Sequence, residues 1–134
     1  MNKFGKRSLE QRQTLHPKLQ KVVDEVIKTV DFTILEGVRS VERQKELVAK
    51  GMSKTMKSRH LPDSNGKSRA MDLSPHPIDW ENKERFILFA GYVLGIAQQL
   101  GINLVWGGDW NKNFDIKDTK FFDAPHFELH DSED

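Results

Sequence analysis

The longest apolar pattern in the chain has helical spacing, and it limits the folds that the sequence can adopt. Asp79 is a suitable N-cap for a helix that begins near Trp80, and Gly101 is a suitable end. Apolar residues recur between these points at three- and four-residue steps, which puts them on one face of the helix. They are Phe86, Phe89, Ala90, Val93, Ala97 and Leu100. The sequence therefore predicts an amphipathic helix that covers the core.

A second helical pattern begins at Leu15 and continues to Val30. Pro17 suits the first turn of this helix, because its missing N–H would have no partner there. His16 is then interpreted as a capping or surface residue. The apolar positions are Leu15, Leu19, Val22, Val23, Val26, Ile27 and Val30.

A third, shorter helix is predicted from Val41 to Lys50. Ser40 precedes it as an N-cap and Gly51 follows as a C-cap. Leu47 and Val48 are expected to face inward, so this helix also covers a core.

Between the helices, short segments rich in β-branched or alternating apolar residues predict strands. These are Phe32 to Val38, Ile102 to Trp106 and His126 to Leu129, with a further strand after the polar loop near residue 70. The order is helix, strand, helix, loop, strand, helix, strand, loop, strand, which is not a regular βαβ alternation. We expect an α+β fold with a small antiparallel sheet covered by about three helices.

The composition limits the class of protein. The 134 residues suit a single domain over 1–134, with a basic lead-in over 1–12 and an acidic tail over 130–134. A hydrophobic content of 37% and a net charge of +1 disfavour a disordered chain and an obligate nucleic-acid binder. We find no apolar run long enough to insert into a membrane and no signal peptide. With no cysteine, a bound metal would need His, Asp or Glu ligands.

Three side chains form a candidate metal site. His60 and Asp72 lie at the two ends of one polar stretch, and His126 follows near the C-terminus. Catalytic zinc typically has three such ligands and an open position for water. A carboxylate must then move protons, and Asp123 and Glu128 are both candidates. The alternative is that these histidines only form ordinary structural hydrogen bonds.

Several short motifs occur in a recognisable order: Glu36-Gly37-x-Arg39-Ser40, Ser58-x-His60, Ala70-x-Asp72-Leu73, Trp106-Gly107-Gly108-Asp109-Trp110 and Asp123-x-Pro125-His126-Phe127-Glu128-Leu129. Together they resemble the zinc peptidases of the D-alanyl-D-alanine carboxypeptidase superfamily, whose fold is shared with Hedgehog. Within it, the chain is most similar to single-domain phage endolysins that are L-alanyl-D-glutamate peptidases. The resemblance extends from about Leu15 to Leu129.

The resemblance implies a role for each matched residue. His60, Asp72 and His126 would bind one zinc ion, and Asp123 would be the general base and acid. Arg39 would stabilise the substrate carbonyl as it becomes an oxyanion, or alternatively form a structural salt bridge. Supporting roles would go to Ser58 and Glu128, the second of which is also the alternative base.

One departure from the family pattern lies between the first two ligands. The compact pattern is Ser-x-His-x-x-Gly-x-Ala-x-Asp, whereas His60 and Asp72 are twelve residues apart here and Ser68 aligns with the glycine. We interpret Leu61 to Lys67 as an insertion that leaves both ligands in place.

The implied substrate is the peptidoglycan stem peptide, cut between L-alanine and D-glutamate during phage lysis of the host. A monomeric enzyme would wait in the host cytoplasm until a holin opens the inner membrane, and would then act on the wall in the periplasm. Two alternatives remain open: a D-alanyl-D-alanine carboxypeptidase or dipeptidase, and a zinc-containing wall-binding module without catalysis.

A calcium site is a further possibility in the polar loop. Oxygen-bearing residues recur at alternate positions, as calcium loops require: Asp109, Asn111, Asn113, Asp115 and Asp118. The loop is not an EF-hand, because Phe114 stands at the glycine position and no glutamate closes it. We hypothesise that calcium orders residues 109 to 122 and regulates activity. The alternative is a plain Asn/Asp-rich turn.

Overall fold

The computed structural model describes residues 2–53 and 55–130, and its centre is an antiparallel sheet of four strands. The strand order is β1-β2-β4-β3, so the two strands that carry Asp72 and His126 lie side by side in the middle. The α+β class with a small antiparallel sheet is confirmed. The strands are β1 (Phe32–Glu36), β2 (Ala70–Pro75), β3 (Leu104–Trp106) and β4 (His126–Leu129).

Among the described residues, four α-helices accompany the sheet, one more than predicted. The polar loop after β3 contains a single 3-10 turn at Ile116–Asp118. The predicted acidic tail falls on residues 131–134, which lie outside the described residues, apart from the exposed His130. The helices are α1 (Lys6–Arg12), α2 (Pro17–Val26), α3 (Val41–Ala49) and α4 (Lys83–Gln99).

The additional helix, α1, occupies what the sequence presented as a basic lead-in. Its Ser8 is 5% exposed, and the Ser8 hydroxyl accepts a hydrogen bond of 3.1 Å from the backbone N of Ile34 in β1. At its end, Arg12 forms two hydrogen bonds with Asp24 of α2, at 2.7 and 2.6 Å. The segment therefore covers the outer strand and is an integral part of the fold.

Replacing Ser8 by alanine is expected to lower the free energy of unfolding by about 1–3 kcal/mol, because the buried N–H of Ile34 would lose its partner. Urea denaturation measures this difference. Ser64→Ala, at an exposed position, is the matched control and should change stability by less than about 0.5 kcal/mol. Equal stability of the two variants would show that the Ser8 contact does not contribute.

The ends of the helices follow capping chemistry, with one correction. His16 caps α2 by accepting a 3.1 Å hydrogen bond from Lys18 N, and Ser40 caps α3, as predicted. The predicted cap of α4 is wrong: Asn82 accepts from Arg85 N at 3.2 Å, whereas Asp79 caps the preceding turn. The chain first turns through 79–82, so α4 begins three residues later than expected.

Two predicted boundaries also change. Helix α2 ends at Val26, and residues 27–29 form turns. Leu100 was expected on the buried face of α4, but it is the C-cap of that helix and is 41% exposed. Gly101 has a φ of +72°, the left-handed conformation that ends a helix.

Side chains alternate between the two faces of the sheet along the central strands, so the core lies on one face and the candidate site on the other. Met71, Leu73, Phe127 and Leu129 are all 0% exposed and pack against the helices. Asp72 lies between two of these buried residues, so its side chain projects from the other face of the sheet. The same alternation places His126 and Glu128 on that face.

A β-bulge brings a further side chain to that face. Ile34 pairs with Leu73, yet Glu36 pairs with Asp72, so β1 contains one extra residue between these pairs. Without the bulge, Glu36 would project to the same side as Ile34. With it, Glu36 lies beside Asp72 at the end of the strand.

Candidate metal centre

The three predicted ligands converge on one point. In the sheet register Asp72 is directly opposite His126, and their closest atoms, Asp72 Oδ1 and His126 Nδ1, are 3.4 Å apart. His60 reaches the same carboxylate oxygen from its loop, with its Nε2 at 3.3 Å. One ligand atom from each residue lies within 4.8 Å of the other two. These two imidazole nitrogens and one carboxylate oxygen could hold a metal ion.

Each histidine is oriented by a bond on the other side of its ring. His60 Nδ1 lies 2.8 Å from the carbonyl oxygen of Gly37, which can only accept, so this nitrogen carries the proton. His126 Nε2 likewise lies 2.8 Å from Glu128 Oε1. The opposite nitrogens, His60 Nε2 and His126 Nδ1, are thereby directed at Asp72. Such outer bonds fix the tautomer of a metal-binding histidine.

The site concentrates charge in a buried place. Burial opposes ionisation of Asp72, but hydrogen bonds from His126 and His60 outweigh it and hold the pKa of Asp72 well below its ordinary value. Burial also opposes charge on His126, yet its bonds to Asp72 and Glu128 raise the pKa of His126 to about 9. A metal ion binding at His126 Nδ1 therefore displaces a proton.

Asp123 lies at the edge of this centre, on the turn that leads into β4. Its backbone N donates to Gly107 O at 2.9 Å, and its carbonyl accepts from His126 N at 3.2 Å. Burial raises the pKa of Asp123 above its ordinary value of 3.8; the charge of Asp72 adds to this effect, whereas His126 opposes it. A carboxyl group with a raised pKa beside a metal site suits proton transfer.

The position of Asp123 depends on close packing against Gly107. A Cβ atom at residue 107 would lie 2.2 Å from the Asp123 carbonyl oxygen and 2.9 Å from its Cβ. Because both contacts involve the backbone or its first side-chain atom, a side chain larger than hydrogen must push the Asp123 turn away.

If Asp123 transfers protons as the resemblance implies, Gly107→Ala is expected to lower kcat about tenfold to 100-fold, since misplacing a catalytic group by about 1 Å has that effect. Metal content should stay near that of the parent, since residue 107 is not one of the predicted ligands. Gly95→Ala is the matched control, because a Cβ there meets nothing within 4 Å. Peptidase assays and metal analysis of both variants test this, and a fully active Gly107→Ala would contradict the packing argument.

Arg39 is bound in a network that the sequence only partly indicated. Its side chain is 9% exposed; Nε donates to Glu36 Oε1 at 2.9 Å, and Nη2 bonds the same oxygen and lies 3.7 Å from Asp72 Oδ2. Nη1 donates to Gln44 Oε1 at 2.8 Å. The salt bridge weighed for Arg39 is thus present, and the network holds the guanidinium beside the metal centre.

Gln44 was missed by sequence reasoning. It is 0% exposed, and its amide also donates to Ser53 Oγ at 2.8 Å and to the carbonyl of Thr55. It therefore connects Arg39 to the loop that leads to His60. The available signal was its place in α3, three residues before Leu47 on the buried face of the helix.

Ser58 and the predicted insertion support the first ligand. Ser58 Oγ accepts from His60 N at 3.1 Å. Asp63 Oδ1 accepts from the backbone N of Asn65 and Lys67, and Gly66 has a φ of +74°, so residues 61–67 form an ordered turn. Lys67 Nζ donates to Gln13 O at 2.6 Å, which fastens this turn to the segment before α2. His60 and Asp72 still meet, as expected.

A groove of ≈ 510 Å³ opens over the three ligands. Trp110 packs on the His126 ring with centroids 5.2 Å apart, and its Nε1 donates to Phe121 O at 2.7 Å. Trp110 and Phe121 thus form the wall of the groove beside the turn that carries Asp123. Basic side chains that the sequence analysis did not single out also line the groove, namely Arg43, Lys57 and Arg59.

The proposed calcium residues lie together in the loop after β3, with their side chains engaged in the loop itself. Asp109 accepts from the backbone N of Asn113 at 3.2 Å and of Phe114 at 2.9 Å. Asp118 Oδ2 accepts from the amide groups of Asn113 and Asn111. Asp115 Oδ1 accepts from Lys117 N. These are the bonds of an Asn/Asp-rich turn, and calcium binding stays a prediction.

Comparison with known proteins places this geometry in a family. A family model described as phage L-alanyl-D-glutamate peptidase matches residues 1–130. An L-alanyl-D-glutamate peptidase of Escherichia phage T5 is 34% identical over 138 residues, covering 95% of this chain and 97% of that protein. The crystal structure of the Serratia marcescens L-Ala D-Glu endopeptidase ChiX matches with a TM-score of 0.75 and 34% identity, over 94% of this chain and 88% of that one.

Within the described residues, no helix combines the length and the apolar character needed to cross a bilayer.

Proposed function

Because the chain belongs to the phage L-alanyl-D-glutamate peptidase family, we propose that it hydrolyses the L-alanyl-D-glutamate bond of the peptidoglycan stem peptide. The observation that carries this proposal is the convergence of His60, Asp72 and His126 on one point at the floor of a groove. The protein is a peptidoglycan endopeptidase of the phage endolysin type.

The metal is proposed to be zinc. The donor set has two nitrogens and one oxygen, which suits zinc better than the all-oxygen environments that calcium and magnesium prefer. The nitrogens would be His60 Nε2 and His126 Nδ1, and the oxygen would come from Asp72. A zinc ion there would supply Lewis acidity, which acidifies water and polarises a carbonyl group.

Asp123 is proposed to be the general base and acid. It would accept a proton from the attacking water and pass it to the leaving amine of D-glutamate. Its burial and raised pKa favour a carboxyl that can exist in both protonation states during the cycle. Glu128 is proposed to orient His126, because its carboxylate is bonded to His126 Nε2 on the side away from the ligand atom.

Arg39 is proposed to stabilise the substrate carbonyl oxygen as negative charge develops on it. Its bonds to Glu36 and Gln44 use three of the five guanidinium N–H groups, and Arg39 also lines the groove over the three proposed ligands. The buried network also preorganises the guanidinium, which is what makes such a charge effective. Ser58 would support the site through His60.

The biological setting belongs to the same proposal. A monomeric enzyme synthesised in the host cytoplasm would reach the wall in the periplasm only after a holin opens the inner membrane. The cleavage itself would then contribute to host lysis.

Digestion of a defined stem peptide, L-Ala-D-Glu-diaminopimelate-D-Ala-D-Ala, followed by mass spectrometry tests the bond specificity. The proposal predicts free L-alanine and a tetrapeptide that begins with D-glutamate. A carboxypeptidase would instead release the terminal D-alanine. A wall-binding module without catalysis would leave the peptide intact, so either of these outcomes would refute the proposal.

We retain calcium regulation as a separate proposal for residues 109 to 122. Binding of calcium by Asp109, Asn111, Asn113, Asp115 and Asp118 would order the loop that carries Trp110 to the His126 ring. Enzyme treated with EDTA and reconstituted with zinc should lyse cell walls faster when calcium is added. Equal lysis with and without calcium would refute this regulation.

A further inference from the structure

A second groove of ≈ 450 Å³ meets the active site at Asp123, and its walls are aromatic. It is lined by the exposed ring of Trp80, by Lys83 and Phe122, and by the turn from Asp123 to Pro125. Asp123 also lines the larger groove over the metal centre. Asp123 is therefore a residue that the two grooves share.

Trp80 presents a flat apolar surface to this groove. Its ring stacks on Phe86 with centroids 5.5 Å apart and an angle of 12° between the planes. Phe86 is 2% exposed, so it anchors one face of the indole, whereas Trp80 as a whole is 59% exposed. The other face of the ring is consequently open to solvent. The open face of such a ring is a large apolar surface on which an apolar side of a ligand can pack.

The segment that carries Trp80 is held in place before any ligand binds. Arg85 Nη1 donates to Pro77 O at 2.7 Å, and its Nη2 bonds His76 O. Asp79 Oδ1 accepts from Glu81 N at 3.2 Å. A preformed surface binds with less loss of conformational entropy than one that must become ordered.

The opposite side of the groove combines a second ring with a cation. Lys83 Nζ lies 4.5 Å from the centroid of the Phe122 ring, and Phe122 packs edge-on against Trp106 with centroids 5.6 Å apart. The ammonium group can donate hydrogen bonds to neutral oxygens. Two apolar ring surfaces with one donor match the chemistry of an N-acetylated sugar, which has C–H faces and carbonyl and hydroxyl oxygens.

The substrate of the proposed reaction carries such a sugar at the right distance. In peptidoglycan, the amino group of the stem L-alanine is joined to the lactyl group of N-acetylmuramic acid. One residue spans at most about 3.6 Å, so with the lactyl group the sugar lies about 10 Å or less from the scissile bond. Asp123, which is proposed to transfer protons during cleavage of that bond, lines the aromatic groove.

One direction of binding uses the basic side chains of the larger groove. Arg43, Lys57 and Arg59 line that groove together with the acidic Glu36 and Glu128, and the basic groups can pair with the carboxylate that D-glutamate carries beyond the scissile bond. In this direction, the sugar that is joined to the stem L-alanine occupies the aromatic groove. We propose that Trp80, Phe122 and Lys83 form a subsite for the N-acetylmuramyl residue that carries the stem peptide. This inference rests on the proposed function and adds recognition of the glycan to it.

The test compares two substrates for each variant: the free stem peptide, and the same peptide attached to the N-acetylglucosaminyl-N-acetylmuramyl disaccharide. The parent should cleave the glycan-linked peptide with the higher kcat/KM. Trp80→Ala should lower kcat/KM about tenfold on the glycan-linked peptide, because the stacking surface is lost, and less than twofold on the free peptide. Trp80→Phe should keep most of the preference.

Leu88→Ala is the matched control, since Leu88 is a 78% exposed apolar residue of α4 that does not line the groove. Thermal unfolding of each variant checks folding, and the ratio of the two rates is insensitive to the amount of folded enzyme. An unchanged ratio in Trp80→Ala, or a parent that does not distinguish the substrates, would overturn the subsite while leaving the proposed function intact. Cleavage of neither substrate by the parent would overturn the proposed function itself.

Discussion

Replacing His126 by alanine is expected to lower kcat/KM on the stem peptide by about 10³-fold or more. Loss of Lewis acid assistance at a peptide carbonyl removes several kcal/mol of transition-state stabilisation, and each 1.4 kcal/mol is about tenfold. The variant removes one of the three proposed ligand atoms, so zinc affinity is expected to fall as well. It also leaves the Asp72 carboxylate without one of the two imidazoles that bond it.

Zinc content and peptidase rate are the two readouts for this variant, measured after dialysis against limiting zinc. His130→Ala is the matched control, because His130 is an exposed histidine only four residues away. It should keep the zinc and the activity of the parent. Circular dichroism of His126→Ala distinguishes loss of metal from loss of fold. A folded His126→Ala variant with parental zinc and activity would show that His126 is not a ligand.

Replacing Asp123 by asparagine is expected to lower kcat about 10²-fold to 10⁴-fold while zinc content stays unchanged, because the proposed role of this carboxylate is proton transfer and not metal binding. Asparagine has almost the same shape, and the backbone bonds of Asp123 to Gly107 and His126 do not involve the carboxylate. The fold of the turn should therefore be preserved. Steady-state kinetics and metal analysis of the same sample provide both readouts.

Glu128→Gln is the informative partner for that experiment, since Glu128 is the alternative base. If Glu128 only orients His126, its loss should weaken zinc binding by about tenfold to 100-fold. Activity would then be recovered at saturating zinc. The opposite pattern, with Asp123→Asn fully active and Glu128→Gln inactive at saturating zinc, would exchange the two assignments.

The central strands and the ligands were readable from the sequence because side chains alternate along a strand. In β4, His126 and Glu128 alternate with Phe127 and Leu129, which are fully buried, so a polar face opposite the core was expected. Spacing alone could not show that Asp72 and His126 are register partners. That pairing depends on contacts between segments far apart in the chain, and the motif resemblance implied only that both residues bind the same ion.

Helix α1 and the buried Gln44 were not predicted, because neither belongs to a hydrophobic pattern in the sequence. Helix α1 is polar, and one of its contacts with the sheet is made by the hydroxyl of Ser8. Gln44 is fully buried because Arg39 and the backbone of Thr55 satisfy its amide, and such partners are distant in sequence or lie in loops. A polar side chain is buried only where it finds hydrogen-bond partners. Hydrophobic periodicity in the sequence therefore does not reveal which polar residues are buried.

The start of α4 was predicted incorrectly because two residues near it can each cap a helix. Asp79 and Asn82 both have side chains that cap helices well. The stack of Trp80 on Phe86 accompanies an extra turn before the helix, and Asn82 then becomes the cap. The same stack holds the exposed Trp80 ring beside the groove that Asp123 borders. The turn before α4, which was not predicted from the sequence, is therefore also the element that suggests glycan recognition.

The proposed zinc dependence is tested by titrating metal-free protein with Zn²⁺ and measuring cleavage of the defined stem peptide. Metal-free protein should cleave nothing, and the rate should rise linearly to a plateau at one zinc ion per chain. The product should begin with D-glutamate. Full activity in protein that elemental analysis shows to be free of metal would refute the proposed metallopeptidase mechanism.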